Sequence, residues 1–431
     1  MSDVTRPSGA AADALGVDPV ELLTALIAAP SPNPPGDERA VAGVITDALK
    51  ALGLPPPLVI SKSPERPNML VRIDGTGPRI MLAGHLDTMP AGNLASWQTP
   101  PFELVRSDGR LAGLGVADMK SGIVAALIAA ARLIRDPAWT GSLDLLLVSD
   151  EENCSDYGMK WLAAQGVLTA DAAVILEPGG GADFRSWDRL FVAQRGSAVL
   201  DLVANGTPGH SAAQISAEDR AGIALARAMT ALADAHLFAD ISHPVDGTTP
   251  TVNIGTMVGG GLTPFMHPET LTATVEIRVI EGMTMHDVHA AVRTVIVQAG
   301  LGGRVDVLGA DAPLDWVPPS PVVTDRRLLD AASTAWRAVL GTEPTAGVLL
   351  GVTDSSWLSL AGIPTLPALG CGSLAVAHQP NEWIAESDLP LAIDLAEALA
   401  RAYAHPAESP SAHDPAGTGG NAAASLSMRL R

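Results

Sequence analysis

Three short, mainly apolar runs in this chain each end on residues suited to holding a metal ion or a proton. Arg79 to Ala83 leads into Gly84-His85-Leu86-Asp87, Leu143 to Val148 into Ser149-Asp150-Glu151-Glu152, and Ala172 to Leu176 into Glu177-Pro178-Gly179-Gly180. Such runs read as strands buried on both faces. Helix-length segments surround them: Asp18 to Ala28, Glu38 to Leu52 behind the start signal Pro34-Pro35-Gly36-Asp37, and Ser121 to Arg135 with an almost continuous apolar surface. Buried strands alternating with helices predict an α/β fold with a mostly parallel sheet covered by helices. In such sheets ligands gather beyond the carboxyl ends of the strands, and the polar residues stand there.

The texture changes near Gln194-Arg195-Gly196. A strand (Ala198 to Ala204), a helix (Ala217 to Ala235) and two strands (Thr251 to Val258, Thr270 to Val279) follow. A helix (Met285 to Gln298) and a strand (Arg304 to Leu308) complete a βαββαβ order, that of an α+β ferredoxin-like unit. Pro313, Pro318, Pro319 and Pro321 break the pattern, and helix–strand alternation resumes through Tyr403. At ~150 residues per domain, 431 residues suit two domains, one inserted into the other. The expected division is a disordered leader over 1–15, a catalytic domain over 16–195 and 310–405, an insert over 196–309, and a disordered tail over 406–431.

Composition narrows the partners. The net charge of −20 repels phosphate backbones and anionic lipid, so neither nucleic acid nor a membrane surface is expected. Cys154 and Cys371 cannot supply a disulfide framework. The longest apolar stretch, Gly122 to Ala131, is about half the ~20 residues that span a bilayer, and no basic and apolar leader opens the chain. A soluble cytoplasmic protein is the expectation.

Singly, each polar strand end has an ordinary explanation. His85 and Asp87 could be a surface or capping pair, Asp118 a helix cap, Ser149-Asp150-Glu151-Glu152 a solvated turn, and His378 a structural histidine. Gly113-Leu114-Gly115 invites a dinucleotide-loop reading, but the fingerprint's third glycine is missing and the preceding segment is polar. Together the residues say more. Two imidazoles and three carboxylates (His85, Asp118, Glu152, Glu177, His378) form a typical dinuclear set for Zn²⁺, or for Co²⁺ or Mn²⁺ where supplied. Asp87 is placed to hold the second ring nitrogen of His85. Glu151 and Glu152, pointing opposite ways on an extended chain, should do separate jobs, one facing metal and the other the reacting water.

These segments, with Asp118-Met119-Lys120-Ser121-Gly122, Gly209-His210-Ser211-Ala212 and His378-Gln379-Pro380-Asn381-Glu382, resemble the co-catalytic zinc deacylase and carboxypeptidase family from about residue 18 to 404. The resemblance implies one metal on His85 and Glu177, a second on Glu152 and His378, and Asp118 bridging. It makes Glu151 the general base and acid, with Asp87 orienting His85. His210 would stabilise the oxyanion, often across a homodimer formed by the insert. Arg278, Asn253, Phe265 and Thr353 would surround the substrate, with Arg278 on its carboxylate. The implied substrate is an N-acyl or N-aminoacyl amino acid.

The sequence also departs from the family's pattern. Phe265, Leu114 and Trp357 stand where relatives often carry Asn or Arg, which predicts a pocket preferring neutral or apolar acyl groups to succinyl. A carboxypeptidase or dipeptidase using the same residues is the rival within the family. A non-catalytic binding protein is the rival outside it.

Overall fold

The strand Arg79–His85 lies inside a six-stranded sheet whose order is Leu58–Ser61, Pro67–Ile73, Ser142–Val148, Arg79–His85, Ala172–Ile175, Thr365–Leu366. The computed structural model describes residues 15–181 and 183–405; the expected tail, and the expected leader apart from Leu15, lie outside the described residues. The pairings among Ser142–Val148, Arg79–His85, Ala172–Ile175 and Thr365–Leu366 are parallel. Those of Leu58–Ser61 with Pro67–Ile73, and of Pro67–Ile73 with Ser142–Val148, are antiparallel. The sheet is therefore mixed. A link as short as residues 62–66 can close only a hairpin, whereas parallel neighbours need a long crossover.

Register fixes where the site forms. His85 pairs with Val148 and Ala83 with Ile175, so His85, the turn after Val148 and Glu177 leave the sheet at one edge. Ile80, Met81, Leu82, Leu145 and Val174 are fully buried in these strands. Asp144, also buried, is paired with Arg79 Nη1 at 2.5 Å. The helix Ser121–Arg135 is buried along most of its length. It approaches the sheet so closely that a Cβ on Gly122 would lie 2.0 Å from the Leu176 carbonyl oxygen. Only glycine permits that approach.

Two compact units divide the described chain: residues 15–193, 322–349 and 353–405 in one, and 194–321 with 350–352 in the other. The second contains strand Gly196–Asn205, helix Ala221–Asp234, strands Thr251–Gly260 and Thr270–Val279, helix Met285–Gln298 and strand Val305–Gly309. Its main strands lie in the order Thr251–Gly260, Thr270–Val279, Gly196–Asn205, Val305–Gly309, each antiparallel to its neighbour. Alternate residues of Gly196–Asn205 (Ala198, Leu200, Leu202, Ala204) face a core shared with Ala224 and Ala228 of one helix and Val288, Val292 and Ile296 of the other. Trp316 and Val317 add a further pairing to Ala198 and Ser197, which carries this unit past Gly309. Among the described residues no helix is long and apolar enough to cross a membrane.

Candidate metal centre

Asp118 is the point on which the candidate ligands converge. It sits in an irregular turn, Val116–Lys120, that delivers the chain into the buried helix Ser121–Arg135. Gly115 opens this turn at φ +78°, a conformation open to glycine at little cost, so the Gly113-Leu114-Gly115 sequence serves the turn. The turn is pinned from two directions. The buried Glu382 carboxylate accepts the backbone N–H of Gly115 (3.0 Å), Ala117 (2.7 Å) and Asp118 (3.0 Å). The buried Lys120 ammonium donates to the carbonyls of Leu26 and Ala29, both at 2.9 Å.

The two Asp118 oxygens face different histidines. Oδ1 is 3.0 Å from His85 Nε2, and Oδ2 is 3.2 Å from His378 Nε2. His378 Nε2 is also 3.0 Å from Glu152 Oε2, while Glu177 Oε1 stands 4.0 Å from His85 Nε2. Two sets of three potential ligands result, His85 with Asp118 and Glu177, and Asp118 with Glu152 and His378. Asp118 belongs to both. His378 occupies the left-handed region at φ +59°, and the nearby Asn381 ties its loop down by accepting from Gln98 N (2.7 Å) and donating to Ser96 O (3.1 Å).

Asp87 does more than the strand spacing implied. His85 Nδ1 meets the Asp87 main-chain carbonyl at 3.0 Å, with the Asp87 carboxylate farther away at 3.7 Å. That carboxylate instead accepts the N–H of Glu151 on Oδ1 and of Glu152 on Oδ2, each at 3.2 Å. It thereby holds the turn carrying both glutamates. Glu152 Oε1 in addition accepts Met89 N at 3.1 Å. Glu151 belongs to neither ligand set.

The electrostatics call for added positive charge. Burial pushes the Glu151, Glu152 and Glu177 carboxyls upward; Asp354 and Asp118 add to this for Glu151, Asp118 for Glu152, and Glu151 for Glu177. Asp354, also buried, rises to about 7 by burial, against a hydrogen bond from Ser155. Asp118 is the exception: burial would raise it, but the hydrogen bonds to His378 and His85 outweigh that and hold it low. The same contacts overcome burial to lift His378 to about 11 and His85 well above the usual imidazole range. Glu177 Oε1 is buried without a hydrogen-bond partner among the described residues. So many carboxylates can ionise together only beside cations, and a pair of divalent ions fits this donor set.

The remaining sequence candidates make contacts of their own. Thr353 spends its hydroxyl on the backbone, donating to Pro367 O (3.1 Å) and accepting from Ser355 N (3.2 Å). Leu114 and Trp357 are buried, and the Lys160 ammonium stands 5.3 Å from the centre of the Trp357 ring. In the second unit His210 is exposed and accepts Ala212 N on Nδ1 at 3.1 Å, and Phe265 is 70% exposed. Arg278 and Asn253 converge on Glu276, the first at 2.6 Å through Nε and the second at 2.5 Å through Nδ2. Sequence reasoning passed over the roles of Glu382, Asp354 and Glu276. Glu382 alone had a signal, its place four residues after His378.

Residues 81–402 match the family described as peptidase family M20/M25/M40. Among solved structures the chain is similar to an M20 family metallo-carboxypeptidase of Sulfolobus solfataricus, with TM-score 0.70, 18% identity, and 90% of this chain and 99% of that one covered. It is also similar to a di-peptidase of Saccharomyces cerevisiae, with TM-score 0.71, 16% identity, and coverage of 93% and 98%. A dinuclear metal binding peptidase of the M20 family from Bacillus subtilis gives TM-score 0.60, 18% identity, and coverage of 90% and 98%. At these identities the likeness to the solved structures is one of fold.

Proposed function

The chain belongs to peptidase family M20/M25/M40 and is a hydrolase of peptide or amide bonds, and we propose that it removes an acyl or aminoacyl group from the nitrogen of an amino acid. The observation that carries this reading is the sharing of Asp118 between two ligand sets, with Glu151 beside them and in neither. His85 and Glu177 would hold one ion, Glu152 and His378 the other, and Asp118 would give an oxygen to each. Zn²⁺ suits these donors, with Co²⁺ or Mn²⁺ as substitutes. A bound pair of ions supplies Lewis-acid polarisation of the carbonyl and a more acidic water. Glu151 takes the proton from the attacking water as the amide carbonyl is attacked, and passes it to the departing nitrogen, leaving a carboxylic acid and an amine. Asp87 keeps the Glu151 turn in place. His210 is assigned to the oxyanion, and Arg278 with Asn253 to the substrate carboxylate, Arg for its planar fork. Phe265 and Thr353 are assigned to the walls around the substrate.

A carboxypeptidase or dipeptidase with the same residues is the second reading, favoured by the likeness to the Sulfolobus metallo-carboxypeptidase and the Saccharomyces di-peptidase. Metal analysis and a hydrolysis screen decide. About two ions per chain, with metal-dependent cleavage of N-acetyl or N-aminoacyl amino acids, support the first reading; preference for longer peptides supports the second. Absence of bound metal from protein purified without chelator, with no cleavage after Zn²⁺ or Co²⁺ is added, removes both. We also propose a cytoplasmic homodimer joined through the insert, because Thr251–Gly260 is a long edge strand with Met257 and Val258 exposed. Sedimentation as a monomer overturns the dimer, and cell fractionation checks the location.

A further inference from the structure

A second group of buried polar side chains adjoins the ligand set without joining it: Asn33, Glu38, Arg66 and Asp150, none more than 6% exposed. Asp87 Oδ2, which accepts Glu152 N, also accepts Asn33 Nδ2 at 2.8 Å. The same Asn33 nitrogen donates to Asp150 Oδ1 at 2.9 Å. Asp150 Oδ1 receives Arg66 Nη2 at 2.5 Å, and its Oδ2 receives Tyr157 N at 2.9 Å. Arg66 is anchored in turn by Glu38, Nε to Oε2 at 3.1 Å, and by the Pro35 carbonyl at 3.3 Å from Nη1. The chain wraps this guanidinium so closely that a Cβ on Gly36, at φ +80°, would lie 1.5 Å from Nη1.

We propose that Asn33, Asp150 and Arg66 are positioning residues that fix the Asp87 carboxylate, and through it set the aim of Glu151 and Glu152. This rests on the roles given above to those two glutamates. Both turn amides depend on one carboxylate, and a carboxylate held only by two N–H groups at 3.2 Å can still rotate. Asn33 supplies the third contact, and Asp150 and Arg66 stop Asn33 from turning. Asp150 is also where the chain leaves its strand, in the left-handed region at φ +70°. A non-glycine residue there costs energy and persists where its surroundings over-determine it. The Asp150 carbonyl accepts Ser155 N at 2.6 Å, and its carboxylate accepts the three donors above. Buried ion pairs are often no more stabilising than apolar residues of the same volume, so stability alone does not explain charges at this place.

The test compares wild type, Asn33→Ala and Arg66→Lys, each loaded with Co²⁺. It reads the visible cobalt spectrum, kcat and KM on an N-acetyl amino acid, and amide hydrogen exchange over residues 149–157. Asn33→Ala is expected to lower kcat about 10- to 100-fold with KM nearly constant, to change the cobalt spectrum, and to speed exchange in that segment. Arg66→Lys, which keeps the charge but loses the fork, should fall between wild type and Asn33→Ala. A cobalt spectrum and kcat in Asn33→Ala equal to those of wild type overturn the proposal. If Asn33→Ala does not fold, Arg66→Lys decides in its place, by the same readouts. If wild type takes up no cobalt, the two-metal reading falls by itself and exchange alone decides: faster exchange in the variants supports the positioning role, and unchanged exchange overturns it.

Discussion

Replacing Glu382 by Gln keeps the shape of the side chain and removes one acceptor. Glu382 now receives three backbone N–H groups, Gly115 on Oε2 and Ala117 and Asp118 on Oε1. A glutamine oxygen left on Ala117 and Asp118 points its NH₂ at Gly115, donor against donor. Hydrogen bonds to an ionised group are worth about 1.5–3 kcal/mol, and leaving a buried N–H unpaired costs about 1–3 kcal/mol. Burial works the other way: it lifts the Glu382 carboxyl to about 7, so the folded chain gains from losing the charge. The two effects should largely cancel in the unfolding free energy of the metal-free protein. They do not cancel at the ligands, because Asp118 itself supplies one of the three N–H groups and moves with its turn. Loosening such an outer contact typically costs about 10- to 100-fold in metal affinity, or roughly 1.4–2.7 kcal/mol. Competition titration against a chelator measures that affinity, and thermal unfolding of the metal-free protein measures the rest. Glu382→Gln with metal affinity unchanged would refute the reasoning, since Asp118 would then keep its place without the three-way clamp.

Other predictions concern separate parts of the molecule. Glu151→Gln should reduce turnover about 10²–10⁴-fold at near wild-type metal content, whereas His85→Ala should lose metal and activity together; metal analysis beside kcat separates them, and loss of metal from Glu151→Gln would exchange the roles of Glu151 and Glu152. Gly122→Ala forces a Cβ to 2.0 Å from the Leu176 carbonyl oxygen, so despite the better helix propensity of Ala it should destabilise by about 1–3 kcal/mol in urea unfolding. Glu38 is lifted to about 8, mainly by burial and then by Asp87, against the pull of Arg66. Its folded state therefore keeps a proton that the unfolded chain releases, and this group's contribution to stability falls as pH rises from about 4.5 to 8. Across that range the melting temperature of metal-free wild type should fall relative to that of Glu38→Gln as pH rises, and parallel curves would contradict the assignment.

The parts of this protein legible in the sequence are those that local pattern determines. The strand Arg79–His85 and the helices Ser121–Arg135 and Met285–Gln298 follow from apolar spacing, and the structure adds a Thr284–Asp287 capping box at the start of the last. Three of the five candidate ligands, His85, Glu152 and Glu177, follow parallel strands whose register brings their carboxyl ends to one edge, where residue type is visible in one dimension; Asp118 and His378 stand in a turn and a loop, and only their residue types marked them. What lies behind the ligands was not legible. Asn33 and Asp150 are 117 positions apart, and Gly115 and Glu382 are 267 apart, yet each pair is joined by one hydrogen bond. Neither Asn33, inside a proline-rich turn, nor Arg66, before a strand, has a local pattern that distinguishes a buried anchor from a solvated side chain. The reason is physical. A ligand must present its donor atoms outward at the sheet edge, where topology alone can place it, whereas an anchor is defined by what closes over it. Burial of a charge is a property of the whole fold, and no short stretch of sequence displays it.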